Sequence, residues 1–175
     1  MATVLIPGSF DPVHLGHLNV VEQAGELFGH VVLAVMHNPS KPSGLFTPEE
    51  RVALARASLG DRTDESGDVP GDVVVELHEG LVVQAAERAG ADFIVKGLRT
   101  PSDFEIEQQM AHNNHQVTGI RTVYVPCAPE LGYISSRFVR EIAAHGGRID
   151  HLVAAPVAAA LADRFGPVRG SGKDA

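Results

Sequence analysis

Cysteine, tryptophan and basic residues are scarce in this sequence of 175 residues. It contains one cysteine, Cys127, no tryptophan, and 14 lysines and arginines against 22 aspartates and glutamates, which gives a formal net charge of −8 at pH 7. Because one cysteine cannot form an internal disulfide, the sequence suits the reducing cytoplasm. The acidic balance argues against a nucleic-acid-binding protein, which needs basic surface to displace counterions. Any anionic ligand must therefore be held by a few local cations.

Long hydrophobic runs are missing as well. No apolar stretch reaches the roughly 20 residues that a membrane-spanning helix needs, and no leader of signal-peptide composition is recognisable. We therefore expect a cytoplasmic protein without a membrane partner. With 44% hydrophobic and 21% charged residues, the composition is that of a globular protein, and the length indicates one domain. We place that domain at residues 1–166 and expect a disordered tail at residues 167–175.

Five short apolar runs alternate with segments of helical periodicity. The runs occupy residues 3–6, 31–36, 73–77, 91–95 and 122–125. This alternation predicts an α/β protein, a single Rossmann-like doubly wound domain with a five-stranded parallel sheet. The acidic segment at residues 60–72 has too few apolar side chains to pack, so we predict a solvated loop there and assign it no function.

The most informative segment joins the first strand to the first helix. It reads PGSFDPVHLGH over residues 7–17. Its glycines allow a ligand to approach the backbone closely, and the following helix directs the positive end of its dipole at the same place. His14 and His17 are three residues apart, so both can face that place if the helix begins near them. The alternative is an ordinary turn with surface histidines, but open α/β sheets bind ligands at this position, and we predict a phosphate site.

Further cations and a helix cap stand at the ends of later strands. Lys41 is the only cation in a loop rich in Pro, Ser and Gly after the second strand. Lys96 and Arg99 follow the fourth strand, ahead of a helix that we expect Ser102-Asp103 to cap. The serine pair 135–136 can cap the helix after the fifth strand. Parallel strands end at one edge of a sheet, so these segments are expected to meet. We predict one cleft that gathers Ser9, His14, His17, Lys41, Lys96, Arg99 and Ser135.

Two further histidines, His112 and His115, have a spacing that metal ligands use. No acidic or cysteine partner is clustered with them in the sequence. We interpret them as part of the solvated face of a polar helix and predict no protein-held metal site.

Five motifs together resemble those of the phosphopantetheine adenylyltransferases, within the nucleotidyltransferase superfamily. They are PGSFDP at 7–12, Gly16-His17, Ser40-Lys41 before Phe46-Thr47, KGLR at 96–99 before DFE at 103–105, and ISS at 134–136. The resemblance extends from residue 4 to about residue 165. It implies an enzyme of coenzyme A biosynthesis that transfers AMP from ATP to 4′-phosphopantetheine, giving dephospho-coenzyme A and pyrophosphate.

The resemblance also implies roles for individual residues. The residues that would bind ATP are Ser9, Phe10, His17, Gly97, Leu98, Arg99, Glu107, Leu131, Gly132, Tyr133, Ile134, Ser135, Ser136 and Arg137. Those that would bind phosphopantetheine are Ser9, Lys41, Val82 and Lys96. The catalytic residues would be His17, Lys41 and Arg99, which would position the phosphates and stabilise charge during a direct in-line attack. Mg²⁺ would arrive coordinated by ATP, and the subunits would form a homohexamer.

Two alternatives stay open. The double-histidine motif with His14 is commoner in nicotinate mononucleotide adenylyltransferases, which favours transfer to that other acceptor. A nucleotide-binding regulatory module without turnover also fits the sequence, because a fold alone does not prove catalysis.

Overall fold

The computed structural model describes residues 1–40, 44–60 and 71–167, and its centre is one parallel β-sheet. The strands within these ranges are β1 (Ala2–Gly8), β2 (Gly29–His37), β3 (Asp72–Glu79), β4 (Phe93–Leu98) and β5 (Arg121–Pro126). Their order is β3-β2-β1-β4-β5, and all neighbouring strands are parallel. This confirms the predicted Rossmann-like α/β fold with a five-stranded parallel sheet.

Helices connect the strands and complete the domain. They are α1 (Leu15–Phe28), α2 (Pro48–Gly60), α3 (Val82–Arg88), α4 (Pro101–Thr118), α5 (Ser136–Ala144), α6 (Ala155–Phe165) and a short 3-10 helix (Pro129–Leu131). Within the described ranges, no helix has both the length and the apolar character needed to cross a membrane. Residues 61–70 of the predicted acidic loop and residues 168–175 of the predicted tail lie outside the described residues.

Local capping explains where two of the helices begin. At α2, the backbone N–H of Thr47 donates to Glu50 Oε2 at 2.7 Å and the Glu50 N–H donates to Thr47 Oγ1 at 3.2 Å, which together form a capping box. At α4, the prediction of a cap at Ser102-Asp103 is wrong. Thr100 caps this helix by accepting from the Asp103 N–H at 3.2 Å, because a proline at position 101 fits the first turn without needing a donor.

The sheet is apolar on both faces, as expected of parallel strands covered by helices on each side. Along β1, Val4 and Ile6 face the core cluster under α1, whereas Leu5 faces the opposite cluster, where Ala85 and Ala86 of α3 pack. Leu5 has no exposed surface, and burying such a side chain contributes about 1.5–3 kcal/mol. Packing against both clusters holds β1 in the middle of the sheet. The loop after β1 therefore starts from a fixed position.

The pairing between β1 and β4 is much shorter than the other pairings in the described sheet. β1 pairs with β2 over seven residues, Ala2 to Gly8, but pairs with β4 only through Val4 and Leu5. The chain order also reverses here, because β2 and β3 lie on one side of β1 while β4 and β5 lie on the other. Beyond the two pairs, the carboxyl ends of β1 and β4 leave a crevice at the topological switch point.

Candidate active site

A cavity of about 340 Å³ occupies this crevice. The end of β1 and its loop, the end of β4, and the amino-terminal parts of α1, α4 and α5 contribute its walls. The predicted site residues that line it are Ser9, Phe10, His14, His17, Lys96, Gly97, Arg99, Glu107, Ser135 and Ser136. The structure brings these residues together, while their roles toward ligands stay predictions.

Other predicted site residues are absent from the described lining. They are Leu98, Leu131, Gly132, Tyr133, Ile134, Arg137 and Val82. Ile134 is 1% exposed and belongs to the hydrophobic core, so its side chain is not available to a ligand. The Arg137 guanidinium lies 5.9 Å from the centroid of the Phe138 ring, and Val82 packs against the core cluster under α3. Lys41 lies outside the described residues.

The two histidines of the first loop form a stacked pair. His14 is the N-cap residue of α1 and His17 lies in its first turn, with ring centroids 3.6 Å apart and an interplanar angle of 23°. The edge-on Phe10 ring lies 4.9 Å from the His17 ring. The backbone N–H of His14 donates to His17 Nδ1 at 3.3 Å, so the proton of a neutral His17 ring sits on Nε2. His17 is thus prepared to donate one hydrogen bond.

Burial keeps both imidazoles neutral. His14 is 2% exposed, and burial together with the charge of Arg99 lowers its pKa to about 3. The pKa of His17 is also well below its ordinary value, first because of burial and then because of His14 and Arg99. At neutral pH both rings therefore serve as uncharged hydrogen-bonding groups, and the positive charge of the cavity comes from its arginine and lysine.

Arg99 is held rigidly at the cavity wall. Its Nε donates to Asp103 Oδ2 at 3.1 Å and its NH2 donates to Asp103 Oδ1 at 3.2 Å, a bidentate pair, while NH1 donates to the Ile134 carbonyl at 3.0 Å. Burial alone raises the pKa of Asp103, but the hydrogen bonds and charge of Arg99 outweigh it and the net pKa is lowered. The guanidinium therefore connects the start of α4 with the segment before α5.

Lys96 is paired with Glu107 across the same cavity. Lys96 Nζ lies 3.1 Å from Oε1 and 3.0 Å from Oε2 of Glu107, and the two side chains are 17% and 22% exposed. The resemblance assigns Lys96 to the acceptor and Glu107 to ATP, but in the described structure they contact each other directly. Lys96 is therefore not a freely solvated lysine, and a ligand phosphate has to share it with a carboxylate.

Backbone anchors fix the loop after β1, in which Phe10 has a φ of +46°, uncommon for a residue with a side chain. Arg51 of α2 is 6% exposed and donates through NH1 to the Ser9 carbonyl at 2.9 Å. Ser136 Oγ donates to the Pro12 carbonyl at 2.8 Å. A side chain at Gly8 would place its Cβ 2.7 Å from the Phe10 ring, so the ring would have to move to accommodate it. These contacts hold the loop backbone against the cavity.

Sequence reasoning missed three residues that support the site. They are Arg51, which holds the Ser9 carbonyl, Asp103, which holds Arg99, and Asp11, whose carboxylate is buried beside the cavity. The spacing of four residues between Arg99 and Asp103 at a helix start could have indicated their ion pair. No local signal indicated the other two, because their partners are 34 to 42 residues away in the sequence.

Known proteins of one family resemble this chain along most of its length. The cytidylyltransferase-like family matches residues 5–142. A phosphopantetheine adenylyltransferase of a Synechococcus strain is 44% identical over 162 residues, covering 92% of this chain and 96% of that protein. The phosphopantetheine adenylyltransferase of Corynebacterium diphtheriae is 38% identical over 164 residues, covering 94% of this chain and 98% of that protein.

A solved structure supports the fold. The crystal structure of a putative nicotinate-nucleotide adenylyltransferase from Vibrio parahaemolyticus superposes with a TM-score of 0.62 at 18% identity and covers 98% of both chains. At that identity the likeness shows the fold alone. The identities of 38–44% over nearly the full length go further, and they show that this chain belongs to the phosphopantetheine adenylyltransferase family, within the cytidylyltransferase-like proteins.

Proposed function

We propose that this protein transfers AMP from ATP to 4′-phosphopantetheine, giving dephospho-coenzyme A and pyrophosphate in coenzyme A biosynthesis. The observation that carries the proposal is the meeting of His17, Arg99 and Lys96 in one cavity at the amino end of α1. Membership of the family supports the choice of acceptor, because its members are named for this reaction. The proposal places the reaction in the cytoplasm, where the free thiol of Cys127 stays reduced.

The proposed reaction is a direct, in-line displacement. A phosphate oxygen of 4′-phosphopantetheine attacks the α-phosphorus of ATP, and the bond from that phosphorus to the oxygen bridging the α- and β-phosphates breaks, releasing pyrophosphate. The attacking phosphate monoester is already an anion, so no side chain has to remove a proton from it. Catalysis then comes from holding the two phosphates in line and stabilising the charge that builds between them.

Each wall of the cavity supplies one part of this stabilisation. The Nε2–H of neutral His17 and the positive end of the α1 dipole act on the α-phosphate. Arg99, fixed by Asp103 and by the Ile134 carbonyl, acts on the β- and γ-phosphates together with the Ser135 end of α5. Lys96 and, by resemblance, Lys41 orient the phosphate of the acceptor.

Magnesium belongs to the proposal as part of the ATP substrate. The two carboxylates that line the cavity each face a cation already, Asp103 facing Arg99 and Glu107 facing Lys96. Among the described residues, no group of three or more histidines, cysteines, aspartates or glutamates is arranged to hold a metal ion. These side chains do not fit a resident magnesium site, so we propose that the ion enters coordinated by the ATP phosphates and water.

We also propose that the subunits assemble as a homohexamer, as the resemblance implies. Helix α4 supports an assembled state, because none of its 18 residues is buried within the single chain. Its apolar side chains Ile106, Met110 and Val117 are 63%, 40% and 70% exposed. Packing of a second subunit on this helix would remove them from water. Light scattering at micromolar concentration tests the assembly, and a monomer would refute it.

Pyrophosphate release in the presence of ATP and Mg²⁺ tests the reaction. We expect release with 4′-phosphopantetheine as acceptor and none with nicotinate mononucleotide. The reverse preference would identify the enzyme as a nicotinate mononucleotide adenylyltransferase, the alternative that His14 suggests. If neither acceptor gave pyrophosphate although calorimetry detected ATP binding, the protein would be a nucleotide-binding module without turnover.

A further inference from the structure

The turn at residues 126–128, where β5 ends, contributes Cys127 to the wall of the cavity. Cys127 Sγ lies 3.8 Å from the carbonyl oxygen of Gly16, which is in the first turn of α1 and also lines the cavity. The Cys127 N–H donates to the Leu98 carbonyl at the end of β4, at 2.9 Å. The turn therefore closes the crevice between α1 and the end of β4.

Asn19 of α1 holds this turn in place. Its Oδ1 accepts from the Ala128 N–H at 2.9 Å and from Nε2 of Gln23, one helical turn further on, also at 2.9 Å. Gln23 Nε2 donates as well to the Pro126 carbonyl at 3.1 Å. Two side chains on one face of α1 thus bind backbone groups on both sides of Cys127. Asn19 itself is partly buried and is not among the described residues that line the cavity.

The segment that follows the turn, residues 129–137, reaches the opposite side of the cavity. It passes through the short 3-10 helix to Ile134, whose carbonyl accepts from Arg99 NH1 at 3.0 Å, and then to the serine pair 135–136 in the cavity wall. By resemblance, this segment binds ATP. Because the turn fixes where the segment begins, a displaced turn would displace these residues as well.

The lysine assigned to phosphopantetheine is held in a different way. Lys96 Nζ pairs with Glu107 of α4 at 3.0 Å, and within the described ranges none of its side-chain bonds involves the turn at residues 126–128. Release of the turn should therefore affect the nucleotide more than phosphopantetheine.

We propose that Asn19 is a positioning residue for the nucleotide, acting through the turn at residues 126–128. The inference rests on the proposed function for the identity of that nucleotide, ATP. One helix then serves the nucleotide twice, because the start of α1 acts on the phosphates and Asn19, within the same helix, fixes the wall beside them.

Calorimetric titration with ATP and Mg²⁺ tests the proposal. In Asn19→Ala we expect the Kd for ATP to rise about tenfold, which corresponds to about 1.4 kcal/mol, because binding must then order a turn that is already fixed in wild type. Asn19→Asp should stay within about threefold of wild type, since both partners of Oδ1 are donors and a carboxylate accepts from both. Asn113→Ala is the matched control, because Asn113 is exposed and bonds within α4 to the Gln109 carbonyl.

Steady-state kinetics separate the two substrates. At saturating ATP, Asn19→Ala should keep the KM for 4′-phosphopantetheine within about twofold of wild type. Gln23→Ala should weaken ATP binding in the same direction but only about two- to threefold, because the bond between Ala128 and Asn19 remains. This milder variant keeps the test readable if Asn19→Ala does not fold.

The single cysteine of the sequence reports on the turn without turnover. Cys127 is partly buried, and burial raises the pKa of its thiol, so N-ethylmaleimide should label wild type slowly. Labelling, followed by mass spectrometry, should be at least about fivefold faster in Asn19→Ala and unchanged in Asn19→Asp. ATP with Mg²⁺ should slow the labelling of wild type, because Cys127 lines the cavity.

The outcomes distinguish the two proposals. If wild type binds ATP but forms no pyrophosphate with phosphopantetheine, the proposed function fails, whereas ATP binding and labelling still decide the role of Asn19. Wild-type ATP affinity in Asn19→Ala, or an equal loss in Asn19→Asp, would overturn that role alone. An equal rise of both KM values, or labelling that ATP does not slow, would overturn it too. If wild type did not bind ATP, both proposals would fail.

Discussion

Acid should destabilise this protein through His14. The pKa of His14 is lowered to about 3 in the folded chain, whereas an exposed histidine in the unfolded chain has a pKa near 6.5. Between these two values the unfolded chain binds a proton that the folded chain does not bind. The free energy of unfolding therefore falls as the pH falls below 6.5, and it continues to fall until the pH approaches 3.

The size of the effect follows from the pKa difference. Each pH unit below 6.5 costs about 1.4 kcal/mol, so His14 alone should reduce the free energy of unfolding by about 2 kcal/mol between pH 7 and pH 5. This is a large share of the roughly 5–15 kcal/mol that stabilises a typical domain. His17, whose pKa is also lowered, should add to the loss.

Urea denaturation at pH 7 and pH 5 measures the effect. In His14→Thr the loss between the two pH values should be smaller than in wild type by about 2 kcal/mol, whatever the variant costs at pH 7. His112→Thr is the matched control, since His112 is exposed on α4, and it should follow the wild type. If wild type and His14→Thr lost the same free energy between pH 7 and pH 5, His14 would not be a buried neutral histidine and the electrostatic description of the cavity would be wrong.

Three further predictions concern the cavity. His17→Ala should lower kcat by about a hundredfold or more with ATP affinity nearly unchanged, because its hydrogen bond strengthens mainly in the transition state. Lys96→Ala should lower kcat/KM for phosphopantetheine by about ten- to a hundredfold, and adding Glu107→Gln should restore part of the loss, since the single variant leaves a carboxylate facing the phosphates. Asp103→Asn should weaken ATP binding by about tenfold in calorimetry, because it frees the Arg99 guanidinium.

Each of these predictions has an outcome that contradicts it. A rise in the KM for ATP at constant kcat would make His17 a ground-state ligand. If the losses of kcat/KM in Lys96→Ala and Glu107→Gln simply added up in the double variant, the Lys96–Glu107 ion pair would have no influence on the reaction. Unchanged ATP affinity in Asp103→Asn would mean that Arg99 does not need its ion pair with Asp103 in order to bind ATP.

The strands were predictable because their signal is local. A parallel strand covered on both faces must be apolar throughout, and the run Val31–Met36 in β2 satisfies this condition within six residues. The start of α4 was less predictable, because both Thr100-Pro101 and Ser102-Asp103 offer suitable caps. Only the path of the chain after β4 decides between them.

The meeting of the site residues was also predictable, since parallel strands deliver their loops to one edge. Which of these side chains pair with one another could not be predicted from the sequence. Lys96 and Glu107 are 11 residues apart and both were expected near ligands, but their pairing depends on how α4 lies against β4. Arg51 reaches the Ser9 carbonyl across 42 residues, and Ile134 lies in the core although its neighbours Ser135 and Ser136 face the cavity. Such contacts follow from packing, which periodicity does not encode.

The short pairing of β1 with β4 bears on how substrates affect the whole domain. Within the described sheet, β1 to β3 form one half and β4 with β5 form the other, and only two residue pairs of the strand ladder connect the halves. Hydrogen bonds between Thr3 and Asp92 and the packing of α1 add to this connection. His17 of the first half and Arg99 of the second both line the crevice. In the proposed function a nucleotide would contact both, so its binding free energy would stabilise the folded domain. The substrate would then bridge the sheet where strand pairing is absent, and its concentration would raise the temperature at which the domain unfolds.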